Sequence, residues 1–295
     1  MEELIITRNS SSIKGLGFML IAAFLFAVMV LLIKILGPSF RVWDIAMYRL
    51  GGGTILLLTI FGWNRQLFRP HRPRLLLLRG MIGTMAFISI TFAIRSIPLS
   101  TAMVFFYSFP AFAAVFAPLI FGDRISLKDV LCILAALIGV AVLFDFKMAG
   151  SLFGQIMALI SAIFAGFTVA LIRELRKTHG AVVIYFYFCL IGAIVSFGPY
   201  MVNPQIPGHT RDWLIVVGIL FTATGGQLLM NQGFRYCKSW EGGLFLSSEL
   251  IFTSIFGILL LYEPATWRFW AGGLMILVSA AALNIKAPQP TQRVS

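Results

Sequence analysis

Charged side chains are scarce in this chain of 295 residues. They make up 12% of the sequence, whereas 59% of the residues are hydrophobic. Soluble domains carry about 25% charged residues. Cysteine and histidine are rare, with three of each, and neither shows the spacing of a metal site or a disulfide framework. No G-x-x-x-x-G-K-[ST] pattern is present, so ATP-driven pumping by this chain alone is not expected, and no cofactor is predicted.

Long uncharged apolar runs take the place of the missing charge. Several exceed the roughly 20 residues that a helix needs to cross a bilayer. The runs are continuous, whereas outer-membrane strands would alternate apolar and polar residues. The pattern predicts an all-α integral membrane protein with ten transmembrane helices. The predicted spans are 14–36, 43–63, 76–95, 98–121, 128–146, 151–173, 181–202, 212–234, 239–262 and 266–285.

The two halves of the chain resemble each other at an offset of 140 residues. Pairs at this offset include Arg95 with Arg235, Phe105 with Phe245, Ser108 with Ser248 and Leu134 with Leu274. Five spans per half is an odd number, so the second copy is expected upside down, as in carriers that alternate access around a central site. The predicted organisation is a cytoplasmic segment 1–13, a first five-helix repeat 14–146, an inverted repeat 147–286 and a cytoplasmic tail 287–295.

Basic residues are distributed unevenly over the predicted loops. With the amino terminus inside, 16 of the 23 lysines and arginines fall in cytoplasmic segments and 6 on the opposite side. Arg79 is counted here with the first cytoplasmic loop. The bias predicts a multi-pass protein of the bacterial inner membrane with both termini cytoplasmic. The net charge of +12 is explained by basic loops on the cytoplasmic side of the lipid bilayer. A nucleic-acid partner is therefore not predicted.

Several stretches carry a family resemblance. They are Gly15-Leu16-Gly17, Arg49, the run from Arg95 to Ala102 with its continuation to Arg124, and a weaker second copy from Arg235 to Glu263. Together they resemble the drug/metabolite transporter superfamily, EamA type. The resemblance implies two inverted five-helix halves around a central cavity lined mainly by helices one, three, four, six, eight and nine. Leu78-Arg79-Gly80 and Ile97-Pro98-Leu99 are similar to the subgroup related to S-adenosylmethionine carriers.

The sequence departs from the family pattern at three positions. Asp123 stands where the family commonly has Glu, and the second half has Lys238 and Leu250 at the positions of Pro98 and Pro110. The two halves are therefore not expected to behave identically. Asp123 and Glu263 each end an apolar run, and both are predicted to face water or to cap the following helix.

Glu249 is the sharpest single signal for function. It follows Trp240 by nine residues, which places it about 13 Å into the bilayer, near the midplane. A carboxylate at that depth must face protein or water and find a partner. One interpretation is a proton-coupling group or a ligand for a cationic substrate group. The alternative is a structural carboxyl group hydrogen-bonded to serine or threonine neighbours.

Arg49 is the second ionisable residue within a predicted span. Its guanidinium group could clamp a substrate carboxylate or phosphate through two parallel hydrogen bonds. The alternatives are a structural ion pair and a side chain that reaches back to the interface. The estimated depths of Arg49 and Glu249 differ by roughly 8 Å, so pairing between them is expected only in some states.

Two helices carry further candidate residues. On helix eight, a spacing of three and four residues puts Thr224, Gln227 and Asn231 on one face, where they serve either as substrate contacts or as links between helices. Helix four offers a second set that suits a gating or stacking wall, or else ordinary packing, with kinks expected at Pro110 and Pro118. That set is Thr101, Phe105, Tyr107 and Ser108.

These features predict a secondary active transporter. Its substrate would be a small polar or amphipathic metabolite, such as an amino acid, an S-adenosylmethionine-like compound or an organic acid, and proton coupling through Glu249 is one interpretation. The alternatives are an exporter of drugs or lipid-like compounds with the same fold, a structural or sensory membrane subunit, and a membrane-embedded enzyme, which would need clustered acidic or histidine residues. A monomer and a homodimer are both compatible with the sequence.

Overall fold

All regular structure in the described part of the chain is helical. The computed structural model describes residues 2–63, 70–109, 111–113, 115–116, 127–143, 152–236, 246–264 and 266–284. The helices are α1 Glu2–Ile35, α2 Val42–Phe61, α3 Pro73–Ser96, α4 Leu99–Phe106, α5 Leu127–Leu143, α6 Leu152–Leu175, α7 Ala181–Val202, α8 Thr210–Tyr236, α9 Ser248–Leu260 and α10 Trp267–Asn284.

Six of these helices are long and apolar enough to cross a membrane. They are α1 from Gly15 onward, α2, α3, α6, α7 and α8 up to Gly233. Helices α4, α5 and α9 are apolar as well, but shorter within the described residues. The chain is therefore a multi-pass helical membrane protein, and the number of ten transmembrane helices stays a prediction. Helix α1 begins at Glu2, so the segment 1–13 is helical where the structure describes it.

Helix α2 is not a uniform α-helix. It consists of an α-helical turn at Val42–Ala46, a π-helical turn at Met47–Gly51 and an α-helix at Gly52–Phe61. A π-helical turn inserts one extra residue into an α-helix and occurs frequently at functional sites. The turn contains Arg49, and the apolar pattern of the predicted span 43–63 gave no sign of it.

The regular part of helix α4 ends early. Tyr107 has a ψ of 5°, and the Ser108 N–H donates to the Phe105 carbonyl oxygen at 3.1 Å, which is a turn rather than a continuing α-helix. The break precedes Pro110, where the sequence predicts a kink; Pro110 and Pro118 lie outside the described residues. It presents Tyr107 at a helix end.

The helices pack mostly across the two halves of the sequence. Helix α1 lies along α8, and α3 lies along α6; α2 packs on α7, α4 on α9 and α5 on α10. Gly166 on α6 lies especially close to the segment that follows α4. A Cβ atom there would lie 2.7 Å from the Ala113 backbone nitrogen and 2.8 Å from the Phe109 carbonyl oxygen.

Charged side chains from distant parts of the chain cap the junction between α3 and α4. The Lys34 ammonium group donates to the carbonyl oxygens of Ile94 (2.6 Å) and Ile97 (2.7 Å) at the end of α3. The Glu263 carboxylate accepts the backbone N–H groups of Leu99 (2.5 Å) and Ser100 (3.0 Å). Glu263 therefore caps α4, which precedes it in the sequence, and not the helix that follows it, because its carboxylate satisfies the free N–H groups at the start of α4. Asp123 lies outside the described residues.

A polar cluster joins the segment before α3 to the end of α6. The Arg72 guanidinium group (2.9 Å) and the Lys177 ammonium group (2.6 Å) both contact the Glu174 carboxylate, and the His71 N–H donates to His179 Nε2 at 3.2 Å. Hydrogen bonding from Lys177, and then from Arg72, lowers the pKa of Glu174 below its ordinary value. Partial burial lowers the pKa of His179.

Candidate functional site

The buried carboxyl group of Glu249 lies against a tyrosine of the other half of the chain. Glu249 is only 6% exposed, and the Tyr107 hydroxyl donates to its Oε2 atom at 2.6 Å. The same hydroxyl is 2.8 Å from the Leu246 carbonyl oxygen. A hydroxyl has one proton to donate, so it can bond to an ionised Glu249, or accept from a protonated one and donate to Leu246. The arrangement can thus hold this carboxyl group in either charge state.

The structure adds a partner of Glu249 that the sequence did not indicate, the hydroxyl group of Tyr107. The Thr253 hydroxyl, one of the neighbouring groups considered from sequence, donates to the Glu249 backbone carbonyl at 2.9 Å. Tyr107 is brought to the site by the early end of α4. Its hydroxyl is the polar group that makes burial of a carboxyl group tolerable at this position.

The guanidinium group of Arg49 is buried between α2, α3 and α7. It is 4% exposed, and its central carbon is 3.9 Å from the ring centroid of Phe87 and 5.9 Å from that of Phe188. A cation over an aromatic face is attracted by the ring electrons. The Arg49 Nε atom has no hydrogen-bond partner in the described part of the chain. Phe87 and Phe188 therefore contact this buried cation, and its role in substrate binding stays a prediction.

Arg49 and Glu249 lie close enough to interact electrostatically. The salt bridges found among the described residues do not include this pair. The two groups therefore belong to one buried region without neutralising each other by direct contact.

Arg79 is a site residue that the sequence analysis assigned to a loop. The structure places it in α3, 2% exposed, with its guanidinium carbon 4.3 Å from the centroid of the Phe188 ring. Its assignment to the first cytoplasmic loop is therefore wrong. Its position in a helix could have been predicted, because Arg79 falls inside the predicted span 76–95. It was assigned to the loop because it lies near the beginning of that span.

The predicted polar face of α8 meets α7. The Thr224 hydroxyl lies 3.1 Å from the Tyr185 hydroxyl, and Asn231 Nδ2 donates to the Ala181 carbonyl oxygen at 3.4 Å. Gln227 Oε1 and Asn231 Oδ1 are buried atoms without a hydrogen-bond partner in the described residues. Tyr185 also lies near Arg49, so α7 connects this face with the buried arginines.

The remaining candidates on α4 are buried. Thr101 and Phe105 lie in the core, and the Ser108 hydroxyl donates to the Phe105 carbonyl oxygen at 2.7 Å. Ser108 therefore satisfies its own helix in this conformation. Of the predicted set on α4, Tyr107 is the residue that the structure joins directly to Glu249.

Two consecutive stretches of the chain, residues 13–145 and 152–285, match the model of the EamA-like transporter family. The chain belongs to the EamA-like transporter family. This confirms the resemblance to the drug/metabolite transporter superfamily and makes the protein a membrane transporter by family. The two matched stretches begin and end close to the limits of the halves predicted from the internal resemblance.

Two EamA-like relatives and one solved structure illustrate the breadth of the similarity. The "Pseudopaline exporter CntI" of Pseudomonas aeruginosa is 25% identical over 272 residues, covering 92% of this chain and 95% of that protein. "Solute carrier family 35 member G1" of Homo sapiens is 25% identical over 291 residues, covering 92% and 79%. A crystal structure with a TM-score of 0.62 and 17% identity covers 93% of this chain and 96% of its own, and supports the fold.

Proposed function

We propose that this protein is a secondary active transporter of the bacterial inner membrane with both termini in the cytoplasm. It moves a small polar or amphipathic metabolite by alternating access, with ten transmembrane helices in two inverted five-helix repeats. Glu249 carries the proton that couples transport to the membrane gradient. The substrate classes are those that the sequence predicts: an amino acid, an S-adenosylmethionine-like compound or an organic acid.

The pairing of helices supports the inverted repeat. Exchanging the two halves turns the α1–α8 pair into the α6–α3 pair, and both pairs are in close contact. The same exchange converts α2–α7, α4–α9 and α5–α10 into themselves, and each of these pairs is in contact as well. Such a pattern is expected of two copies related by a twofold axis in the membrane plane. The double match to the family model points the same way.

The single observation that carries the proposal is the bond between Tyr107 and Glu249. It joins a residue of the first half to a residue of the second, inside the protein, and uses a buried ionisable group. Ionisable groups inside transmembrane bundles mark substrate and proton pathways. Because the bond crosses the halves, loss or gain of the Glu249 proton changes a contact that rocking of the halves must break and remake.

The substrate classes follow from the neighbouring groups. The rings of Phe87 and Phe188 offer apolar faces, whereas Arg49 Nε and Gln227 Oε1 are polar atoms without a hydrogen-bond partner in the described residues. Such a mixture of aromatic surface and a few polar groups suits an amphipathic metabolite. One relative is named as an exporter, which favours outward transport by this protein as well.

Transport by purified protein in proteoliposomes tests the coupling. A thermal-shift screen of amino acids, organic acids, nucleosides and S-adenosylmethionine-like compounds first identifies a stabilising solute, because a ligand that binds the folded state raises its stability. An imposed proton gradient is then expected to drive accumulation of this solute by the wild type. Glu249→Gln is expected to exchange solute across the membrane but not to accumulate it.

Glu174→Gln is the matched control, because it removes a carboxyl group at the end of α6, outside the apolar spans. It is expected to accumulate solute as the wild type does. Normal gradient-driven accumulation by Glu249→Gln would contradict proton coupling. If no solute class raises the melting temperature, the substrate classes are wrong, and drugs or lipid-like compounds take their place.

A further inference from the structure

Two buried arginines from different helices reach the same aromatic ring. Arg49 comes from the π-helical turn of α2, and Arg79 comes from α3. Their guanidinium carbons lie 5.9 Å and 4.3 Å from the ring centroid of Phe188 on α7. The two cations are near enough to interact electrostatically with each other. They form a concentration of positive charge inside an apolar bundle.

Three nitrogen atoms of these arginines have no acceptor within the described residues. Arg49 Nε, Arg79 Nε and Arg79 Nη1 are buried and have no hydrogen-bond partner there. A guanidinium group has five N–H donors and does not lose its charge in proteins. Burial of such donors without acceptors is unfavourable, and two like charges side by side add repulsion. Contact with aromatic rings offsets part of this cost but satisfies no N–H group.

The fold reserves space for the guanidinium group of Arg79. A Cβ atom at Gly83, one helical turn later on α3, would lie 2.3 Å from Arg79 Nη1 and 3.2 Å from a carbon of the Phe188 ring. Any residue other than glycine at this position must displace the arginine or the ring. On the other side, a Cβ atom at Gly53 would lie 2.9 Å from Cys189 Sγ, so α2 and α7 also meet closely beside the site.

We propose that Arg49 and Arg79 form a binding site for the anionic group of the transported solute, a carboxylate or a phosphate. This inference rests on the proposed transport function and names the substrate class. Anionic oxygens would accept hydrogen bonds from both guanidinium groups and neutralise their charge, which is the pairing that planar N–H forks favour.

Binding of small anions to the purified full-length protein tests this site. The protein is kept in a neutral detergent, and its melting temperature is measured with succinate, inorganic phosphate, the neutral compound succinamide and the cation choline. Succinate or phosphate is expected to raise the melting temperature in a concentration-dependent way, and the other two are not. Stabilisation by choline or succinamide alone would overturn the proposal.

Variants of the arginines assign the binding to this site. Arg49→Lys and Arg79→Lys keep the charge but lose the fork, and each is expected to weaken anion binding about tenfold or more, since a charge-assisted hydrogen bond contributes roughly 1.5–3 kcal/mol. Gly83→Ala is expected to weaken it as well by displacing Arg79. Arg74→Lys is the matched control, an exposed arginine in the first turn of the same helix, and is expected to bind as the wild type does. Unchanged anion affinity in both Arg49→Lys and Arg79→Lys would overturn the assignment.

A lipid headgroup offers the same phosphate chemistry as a soluble anion. A second experiment, in nanodiscs, distinguishes the two sources. The protein is delipidated and placed in nanodiscs of phosphatidylcholine or of phosphatidylglycerol, with and without succinate or phosphate. The soluble anions are expected to stabilise the protein in both membranes. Stabilisation by phosphatidylglycerol alone would contradict the proposal that the bound anion belongs to a soluble substrate. Gradient-driven transport of a cation, with no effect of anions, would refute this anion site and leave the proposed transport function intact. Anion binding without flux of any solute would refute the transport function and leave the anion site intact.

Discussion

The hydroxyl group of Tyr107 is the polar contact on which the buried Glu249 depends. Tyr107→Phe removes this hydroxyl and leaves the carboxyl group and the Leu246 carbonyl oxygen without their donor. We expect a loss of about 1–3 kcal/mol in the free energy of unfolding, the usual cost of an unsatisfied buried polar group. The measurement is the melting temperature of the purified variant.

Tyr187→Phe provides the comparison, since this half-buried tyrosine of α7 contacts Phe186 through its ring. It is expected to melt within about a degree of the wild type. Equal melting temperatures for Tyr107→Phe and the wild type would show that Glu249 finds another partner.

Single ionisable residues were predictable, but their partners were not. Glu249 and Arg49 stand out because an ionisable residue within an apolar run is rare and usually faces the interior of the helix bundle. The bond from Tyr107 to Glu249 joins positions 142 residues apart, and no local pattern encodes such a distance. Arg79 was missed for a different reason: helix ends are uncertain by a few residues from sequence, so a charge near an end is readily assigned to the loop.

At the scale of the helices, one close contact depends on Gly166 in α6. Gly166→Ala places a methyl group against backbone atoms of Phe109 and Ala113, which cannot rotate away. The variant is expected to lose about 1–3 kcal/mol of stability, as overpacked cores do. Gly198→Ala on α7 is the control, because nothing lies within 4 Å of its added Cβ atom. We expect Gly198→Ala to be neutral or slightly stabilising. Equal melting temperatures for the two variants would contradict the close approach of α6 to the segment that follows α4.

The segment that joins α6 to α7 is expected to make stability depend on pH. The pKa of His179 is lowered in the folded protein, so protonation favours the unfolded chain. Its contribution is present above the ordinary pKa of 6.5 and is lost as the pH falls below it. Glu174, whose pKa is also lowered, acts in the same direction at lower pH. The neighbouring His71 and Arg72 add repulsion against a protonated His179.

Melting temperatures measured between about pH 7.5 and about pH 5.5 test this expectation, since that interval brackets the ordinary histidine pKa. The wild type is expected to lose stability on acidification, and His179→Gln to lose less. A wild-type melting temperature that rises on acidification would contradict the lowered pKa of His179.

The positions of the helices were predictable because mean hydropathy and charge register directly in the sequence. All of the helices described here overlap the predicted spans. Three features within the helices or at their ends were not predicted. The capping of α4 by Glu263 depends on a neighbour distant in sequence, and neither the π-helical turn at Met47–Gly51 nor the early end of α4 was predicted from the apolar pattern. Apolar periodicity contains no information on such contacts.

For the whole molecule, the orientation of the loops is the property to measure. Cysteine is introduced at two exposed positions, Lys177→Cys and His209→Cys, in a background in which Cys132, Cys189 and Cys237 are replaced. With both termini cytoplasmic, a membrane-impermeant maleimide should label His209→Cys in intact cells and Lys177→Cys only after permeabilisation. Labelling of both positions from outside the cell would contradict the predicted topology.

The packing of α1 on α8 has a consequence for the order in which the protein assembles. About 175 residues separate the end of α1 from the start of α8, so at roughly 5–20 residues per second a ribosome needs about 9–35 s to supply the partner. The α3–α6 pair is complete after only about 56 intervening residues, or roughly 3–11 s. Helix α1 is therefore expected to wait in the membrane with its α8-facing side uncovered, while the α3–α6 pair, synthesised after α1, closes before the α1–α8 pair.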